Sequence, residues 1–148
     1  MIEHCTSVEQ PGWLELRMAL WPEGTPEQHR EEMASFLEQP GRYVQVVAYG
    51  PDREPLGFVE ASVRTDYVNG TESSPVAFLE GMYVVPEARG QGVAREMVGA
   101  VEAWGWEMGC SELASDAYLD NELSHAVHRA LGFEETERVV YFRKELKG

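Results

Sequence analysis

Met82-Tyr83-Val84-Val85-Pro86-Glu87-Ala88-Arg89-Gly90-Gln91-Gly92-Val93-Ala94 is a strand-forming run that turns through two glycines into a helical pattern. The first amides of a helix have no intrahelical acceptor, and the helix dipole adds partial positive charge, so a turn of this kind is an anion site. Gly90 and Gly92 let a ligand come close to the backbone, and Arg89 adds a positive charge beside them. The run therefore reads as a phosphate-binding strand, turn and helix. It is not a Walker A loop, because Gly92 is followed by Val93 and Ala94 instead of lysine and a hydroxyl residue. Nor is it a dinucleotide fingerprint: Arg95 stands where glycine or alanine is needed, and no acidic ribose-binding residue closes a following parallel strand.

Working outward, Gly92 to Met108 carries Val93, Met97, Val101 and Met108 at helical spacing beside Ala94, Val98 and Gly105. On the other side, Tyr43 to Tyr49, Leu56 to Arg64 and Val76 to Val85 are rich in β-branched and aromatic residues and predict an antiparallel meander. Pro51 to Pro55 is the tight turn within it, and Thr65 to Pro75 is a polar loop whose Asn69-Gly70 pair permits positive φ. Ile2 to Cys5 begins the sheet. Trp13 to Trp21 is a helix with Leu14, Met18 and Trp21 on one face, ended by Trp21-Pro22. Thr25-Pro26-Glu27-Gln28 is a capping box that starts a second helix running to Glu38, where Gln39-Pro40-Gly41 stops it. Beyond the central helix, Glu112 to Ser115 reads as a short buried strand. Asn121 to Leu131 reads as a helix with Leu123, Val127, Ala130 and Leu131 facing inward, and Phe133 to Lys144 as the last strands.

A chain of 148 residues, 43% hydrophobic, fits one domain over 1–148, since two cores would each be too small to bury much apolar surface. Its 26 acidic and 12 basic residues give a formal charge of −14, which repels nucleic acid and anionic membranes and favours a neutral or cationic partner. Cys5 and Cys110 lie far apart without zinc-type spacing, so neither a disulfide nor a metal is expected. Both read as buried, reduced thiols. With no leader-like N-terminus and no apolar run near the roughly 20 residues that span a bilayer, a cytoplasmic protein is expected.

Arg89-x-x-Gly92-x-Ala94, reached from a hydrophobic strand ending in Val-Pro, resembles the acetyl-coenzyme A pyrophosphate motif of the GNAT acetyltransferase superfamily. Asn121, Ser124, His128 and Gly132-Phe133 match that family's later helix and following strand. The resemblance implies an α/β fold: a mixed, mostly antiparallel sheet flanked by about four helices, with the fourth and fifth strands splayed around the coenzyme. It implies that backbone groups at Met82, Tyr83 and Val84 hold the pantetheine and acetyl carbonyl. Arg89, Gly90, Gln91, Gly92, Val93, Ala94 and Arg95 would cradle the pyrophosphate, and Asn121 would bond the coenzyme near its thiol end.

Acetyl transfer needs a neutral amine as nucleophile, and a free alkylamine with a pKa of about 10.4 arrives charged, so a carboxylate must hold it and take its proton. Glu80, just before the turn, and Asp116, just after the short fifth strand, are the candidates, with the choice of base between them open. The blocks Asp66-Tyr67-Val68-Asn69-Gly70, Ser73-Ser74-Pro75, Phe78-Leu79-Glu80-Gly81, Ala114-Ser115-Asp116 and Leu131 to Val139 are similar to aminoglycoside 6'-N-acetyltransferases, which confer antibiotic resistance. This similarity implies a cationic aminoglycoside held by Trp21, Tyr67, Glu80, Asp116 and Glu137, the last from the partner subunit of a homodimer. Carboxylates would pair with its ammonium groups and the aromatic rings would cover its sugars. The family's common proton donor is a tyrosine four residues before the Gly-Phe pair. Here His128 occupies that place, leaving His128, Tyr118 or water as the acid. Cys110 has no activating base, so transfer is expected to be direct, in a ternary complex. Acetylation of a protein lysine, an N-terminus or a small polyamine, and a non-catalytic coenzyme-binding module, are the competing readings.

Overall fold

In the computed structural model, which describes residues 1–148, Ile2–His4 (β1), Tyr43–Tyr49 (β2), Pro55–Arg64 (β3), Val76–Val84 (β4) and Leu113–Ala114 (β5) form one sheet in that order. The first four strands are antiparallel neighbours and β5 runs parallel to β4, so the sheet is mixed and mostly antiparallel, as expected. Two irregularities shape the functional edge. Glu60 pairs with Gly81 while Ala61 pairs with Leu79, so Glu80 is the extra residue of a β-bulge in β4. In addition, β4 and β5 are paired only at Ala77 with Leu113 and Phe78 with Ala114, after which β4 continues to Val84 without β5 beside it. Burial follows that change. Val76 to Leu79 are buried, Glu80 is exposed and Gly81 to Val84 are half-buried. The fifth strand is shorter than the expected Glu112 to Ser115 and half-buried, because its partner is lost after two positions.

Both faces of the sheet are covered within residues Met1–Asp116, the larger of the chain's two compact units. Trp13–Leu20 (α1) and Pro26–Leu37 (α2) place Trp13, Leu16 and Met33 against Val47, Tyr49 and Phe58. On the opposite face Val93–Glu107 (α3) lies so close to β3 that a Cβ on Gly57 would come within 3.1 Å of Met97 Cε. Each fully buried side chain of this size contributes about 1.5–3 kcal/mol through burial. The capping box is formed: Thr25 Oγ1 accepts from the Gln28 amide at 3.1 Å and Gln28 Oε1 accepts from the Thr25 amide at 2.9 Å.

The buried stripe of α1 differs from the expected Leu14, Met18 and Trp21. It consists of Trp13, Leu16 and Arg17, with Leu14, Met18 and Trp21 half-buried. A hydrophobic pattern cannot register a buried arginine, whose burial here depends on partners supplied from elsewhere in the chain. In α3, likewise, Trp104 is buried with Val93, Met97, Val98 and Val101, whereas Met108 caps the helix and is half-buried.

The second unit, Ala117–Gly148, contains Glu122–Ala130 (α4) and no strand. No residue of α4 is buried: Leu123 and Ala130 are exposed, and Val127 and Leu131 are half-buried, which corrects the inward-facing stripe expected for this helix. The strands expected over Phe133 to Lys144 are not formed either. A strand requires a hydrogen-bonding neighbour, which this short unit does not provide, and Val140, Tyr141 and Phe142 stand exposed.

Candidate active site

Past Val84 the chain makes one 3₁₀ turn at Pro86–Ala88 and then passes through Gly90, at φ +77°, and Gly92, at φ +85°. Both dihedrals lie in the left-handed region that favours glycine. Gly92 caps α3 with no side chain bonded to the first amides, and a Cβ built on Gly90 or Gly92 meets no atom within 4 Å. The space in front of this helix start is therefore open, and its first amides and dipole can receive an anionic group. Arg89 and Gln91 brace it. Arg89 Nε donates to the Val84 carbonyl at 2.9 Å with its guanidinium 5.6 Å from the Tyr83 ring, and Gln91 Nε2 donates to the Glu87 carbonyl at 3.2 Å.

At the other end of the open stretch of β4, the bulge turns Glu80 toward the α1–α2 face. Its Oε1 accepts from Ser62 Oγ at 2.7 Å, and both carboxylate oxygens accept from Arg64 Nη2, at 2.8 and 2.9 Å. Arg64 itself lies 3.6 Å from the centroid of the Phe78 ring. Neither Ser62 nor Arg64 stood out in the sequence: Glu60, Ser62 and Arg64 alternate along β3 like the polar face of an edge strand, and only the register against β4 shows what they serve.

Trp21 reaches the same place through Gly81. A Cβ at Gly81 would fall 2.4 Å from Trp21 Cζ2, so the indole rests directly on the backbone beside Glu80. Tyr67 lies in the loop between β3 and β4 and is 71% exposed, while its neighbour Val68 anchors the loop in a cluster with Val76 and Phe78. Glu112, unremarked in the sequence, ties that loop down by accepting from the Glu72 amide at 2.9 Å and from Ser73 Oγ. These bonds, that from Ser73 first, hold its carboxyl below the ordinary glutamate range. Asp116 is exposed and lies two residues past Ala114, as Glu80 lies two past Phe78, the partner of Ala114 in the parallel register. A groove of about 530 Å³ beside α1 is lined by Gly12, Leu16, Pro55, Tyr83 and Val85.

In the second unit, Asn121 caps α4, its Oδ1 accepting from the Ser124 amide at 3.0 Å, which leaves the side-chain NH₂ as the group able to bond a ligand. His128 Nδ1 lies 2.7 Å from the Ser124 carbonyl, which selects the tautomer with hydrogen on Nδ1 and leaves Nε2 as an acceptor. Acting as an acid from Nε2 therefore requires the imidazolium. Glu137 is exposed, between Glu135 and Arg138, which pair with one another.

An open glycine turn thus stands at the end of a strand that has parted from its parallel neighbour, and residues 11–133 match the acetyltransferase (GNAT) family, to which the chain belongs. Within that family it is 53% identical over 134 residues to aminoglycoside N(6')-acetyltransferase type 1 of Acinetobacter genomosp. 13, an alignment covering 90% of both chains. It superposes on the crystal structure of an aminoglycoside 6'-N-acetyltransferase from Acinetobacter baumannii with a TM-score of 0.93 and 47% identity, over 99% of each chain. A further relative, 42% identical with a TM-score of 0.92 over 99% of this chain and 98% of its own, is a complex with the bisubstrate analogue CoA-S-monomethyl-acetylneamine.

Cys5 and Cys110 are both buried, and burial pushes both thiols above the ordinary cysteine value. Neither should react with a thiol reagent at neutral pH until denaturant is added. Rapid labelling of the native protein at Cys110 would reopen a covalent acetyl-enzyme route.

Proposed function

We propose that the chain is an acetyl-coenzyme A-dependent N-acetyltransferase that modifies the 6'-amine of aminoglycosides, with residues 1–148 working as one domain. The observation that carries this reading is the course of β4. A single strand delivers a bulged carboxylate, Glu80, and then runs without β5 beside it into a helix start with no side-chain cap and left-handed glycines. The close relatives named for this activity support the choice of substrate.

Gly90 to Arg95 with Arg89 would take the diphosphate, the backbone at Met82, Tyr83 and Val84 the pantetheine and acetyl carbonyl, and Asn121 the thiol end. When bound, the coenzyme supplies an activated acyl carbon for an amine to attack. Trp21 and Tyr67 would cover the sugar rings while Glu80, Asp116 and the partner subunit's Glu137 receive ammonium groups. Glu80 is already bound by Arg64 and Ser62, so it suits holding the substrate, and exposed Asp116 suits taking the amine proton. His128, as imidazolium, or water then protonates the departing thiolate. A homodimer is supported by the exposure of Val140 at 76%, Tyr141 at 81% and Phe142 at 92%, apolar side chains that a second copy would cover. A formal charge of −14 weighs against nucleic-acid and anionic membrane partners, no helix is long and apolar enough to cross a membrane, and two buried thiols suit the reducing cytoplasm.

The test is a thiol-release screen. Purified protein with acetyl-coenzyme A should release free thiol with kanamycin or tobramycin and not with analogues lacking the 6'-amine. Release with lysine peptides alone would overturn the substrate, and coenzyme binding with no release for any amine would overturn catalysis.

A further inference from the structure

We propose that Arg17 and His29, both buried beneath the surface, are positioning residues that set the plane of Trp21 and so determine how tightly the aminoglycoside is held. The inference rests on the reading of Trp21 as a wall of the substrate site.

Trp21 is the C-cap of α1 and is held by both its backbone and its ring. Its amide donates to the Arg17 carbonyl at 2.8 Å, and its own carbonyl lies 3.1 Å from His29 Nε2. Arg17 Nε donates to His29 Nδ1 at 3.1 Å. Because Nδ1 must be bare to accept, the proton of a neutral imidazole sits on Nε2 and points at the Trp21 carbonyl. One donor thus fixes the tautomer that makes the next bond. The Arg17 guanidinium also lies 4.9 Å from the centroid of the indole. Phe58 meets the ring edge-on at 5.9 Å and 75°, and Gly81 lies beneath its six-membered end. The guanidinium is in turn held by Glu60 and Glu32, so it has little freedom of its own.

This arrangement is more than core packing because of where it ends. Arg17 and His29 are 1% and 2% exposed, yet the ring they orient is half-buried and rests on the residue after Glu80. A tilt of the indole would alter the gap between an aromatic wall and a substrate carboxylate without touching the phosphate-binding turn. The predicted signature is confined to the amine.

His29→Leu removes both ring nitrogens, whereas His29→Gln keeps an amide able to donate to the Trp21 carbonyl. With kanamycin and acetyl-coenzyme A as substrates, His29→Leu should raise KM for the drug about tenfold while kcat and KM for the coenzyme stay within about twofold, and His29→Gln should recover most of the loss. Gly81→Ala pushes the same ring from its other side and should give the same pattern, which keeps the proposal testable if the leucine variant folds poorly. Trp21→Leu sets the scale. If it leaves the drug KM unchanged, Trp21 is no wall and the inference falls with that reading. If it raises KM while His29→Leu and Gly81→Ala do not, positioning alone is refuted. Parallel losses for drug and coenzyme in the His29 variants would also refute it, since they indicate general loosening of the fold.

Discussion

Gly92→Asp should weaken acetyl-coenzyme A binding about a hundredfold, close to 2.8 kcal/mol, while leaving the fold nearly as stable as before. Gly92 is the N-cap of α3 at φ +85° with open space before it. Aspartate is among the few L residues that enter the left-handed region at modest strain, and at an N-cap its carboxylate favours the helix dipole. These effects largely offset each other in the free protein. In the complex they do not, because the new carboxylate would occupy the place and the hydrogen bonds of the diphosphate and repel its charge. Gly92→Asn, similar in size and neutral, should lose about tenfold less than the aspartate variant, which isolates the charge from the shape. Calorimetric titration with acetyl-coenzyme A, with a thermal melt beside it, reads both. Unaltered affinity in the aspartate variant would place the coenzyme elsewhere, and equal losses in both variants together with a lowered Tm would make Gly92 a folding residue.

That turn was legible from the sequence because everything it needs is local: a strand, two glycines and a helix start lie within thirteen consecutive residues, Met82 to Ala94. Local chemistry also fixed Tyr43–Tyr49 to the residue and the α2 start through its capping box. Glu80 and Trp21 were legible only as residue types. That Glu80 sits in a bulge depends on β3 register, and that Trp21 lies beside it depends on the missing side chain of Gly81, a residue far along the chain from Trp21. Arg17 could not be found at all from pattern, since an arginine in a helix reads as solvent-facing until Glu60 and His29 arrive from other elements. The last strands failed for the opposite reason. Val139 to Phe142 have strand-forming side chains, but propensity makes a strand only where a neighbouring backbone accepts it.

Arg17→Met should destabilise the protein by about 3–5 kcal/mol at neutral pH, because it leaves the Glu60 carboxylate buried without its countercharge. Glu60 is 4% exposed, paired with Arg17 through both oxygens and bonded to Trp13 Nε1 at 2.9 Å. Burial already pushes its carboxyl above the ordinary glutamate value, opposed by Arg17 and then by the Trp13 bond. Removing Arg17 removes the larger opposition, so the folded-state pKa rises further. A carboxyl whose folded pKa exceeds its unfolded one stabilises the fold at pH values below the unfolded pKa and loses that contribution as pH rises through the folded one. The deficit of Arg17→Met should therefore be smaller near pH 4, about the unperturbed glutamate value, than near neutrality. Arg17→Met combined with Glu60→Gln removes both charges yet keeps an acceptor for Trp13, and it should recover most of the loss at neutral pH. Glu32 enters little into the balance, since its side chain is 59% exposed and an ion pair of that kind contributes about 1 kcal/mol or less. Denaturant unfolding followed by circular dichroism across pH measures the full cycle. Additive single-variant losses, or a deficit independent of pH, would mean that Arg17 acts by packing against Trp21 and Phe36 rather than by neutralising Glu60.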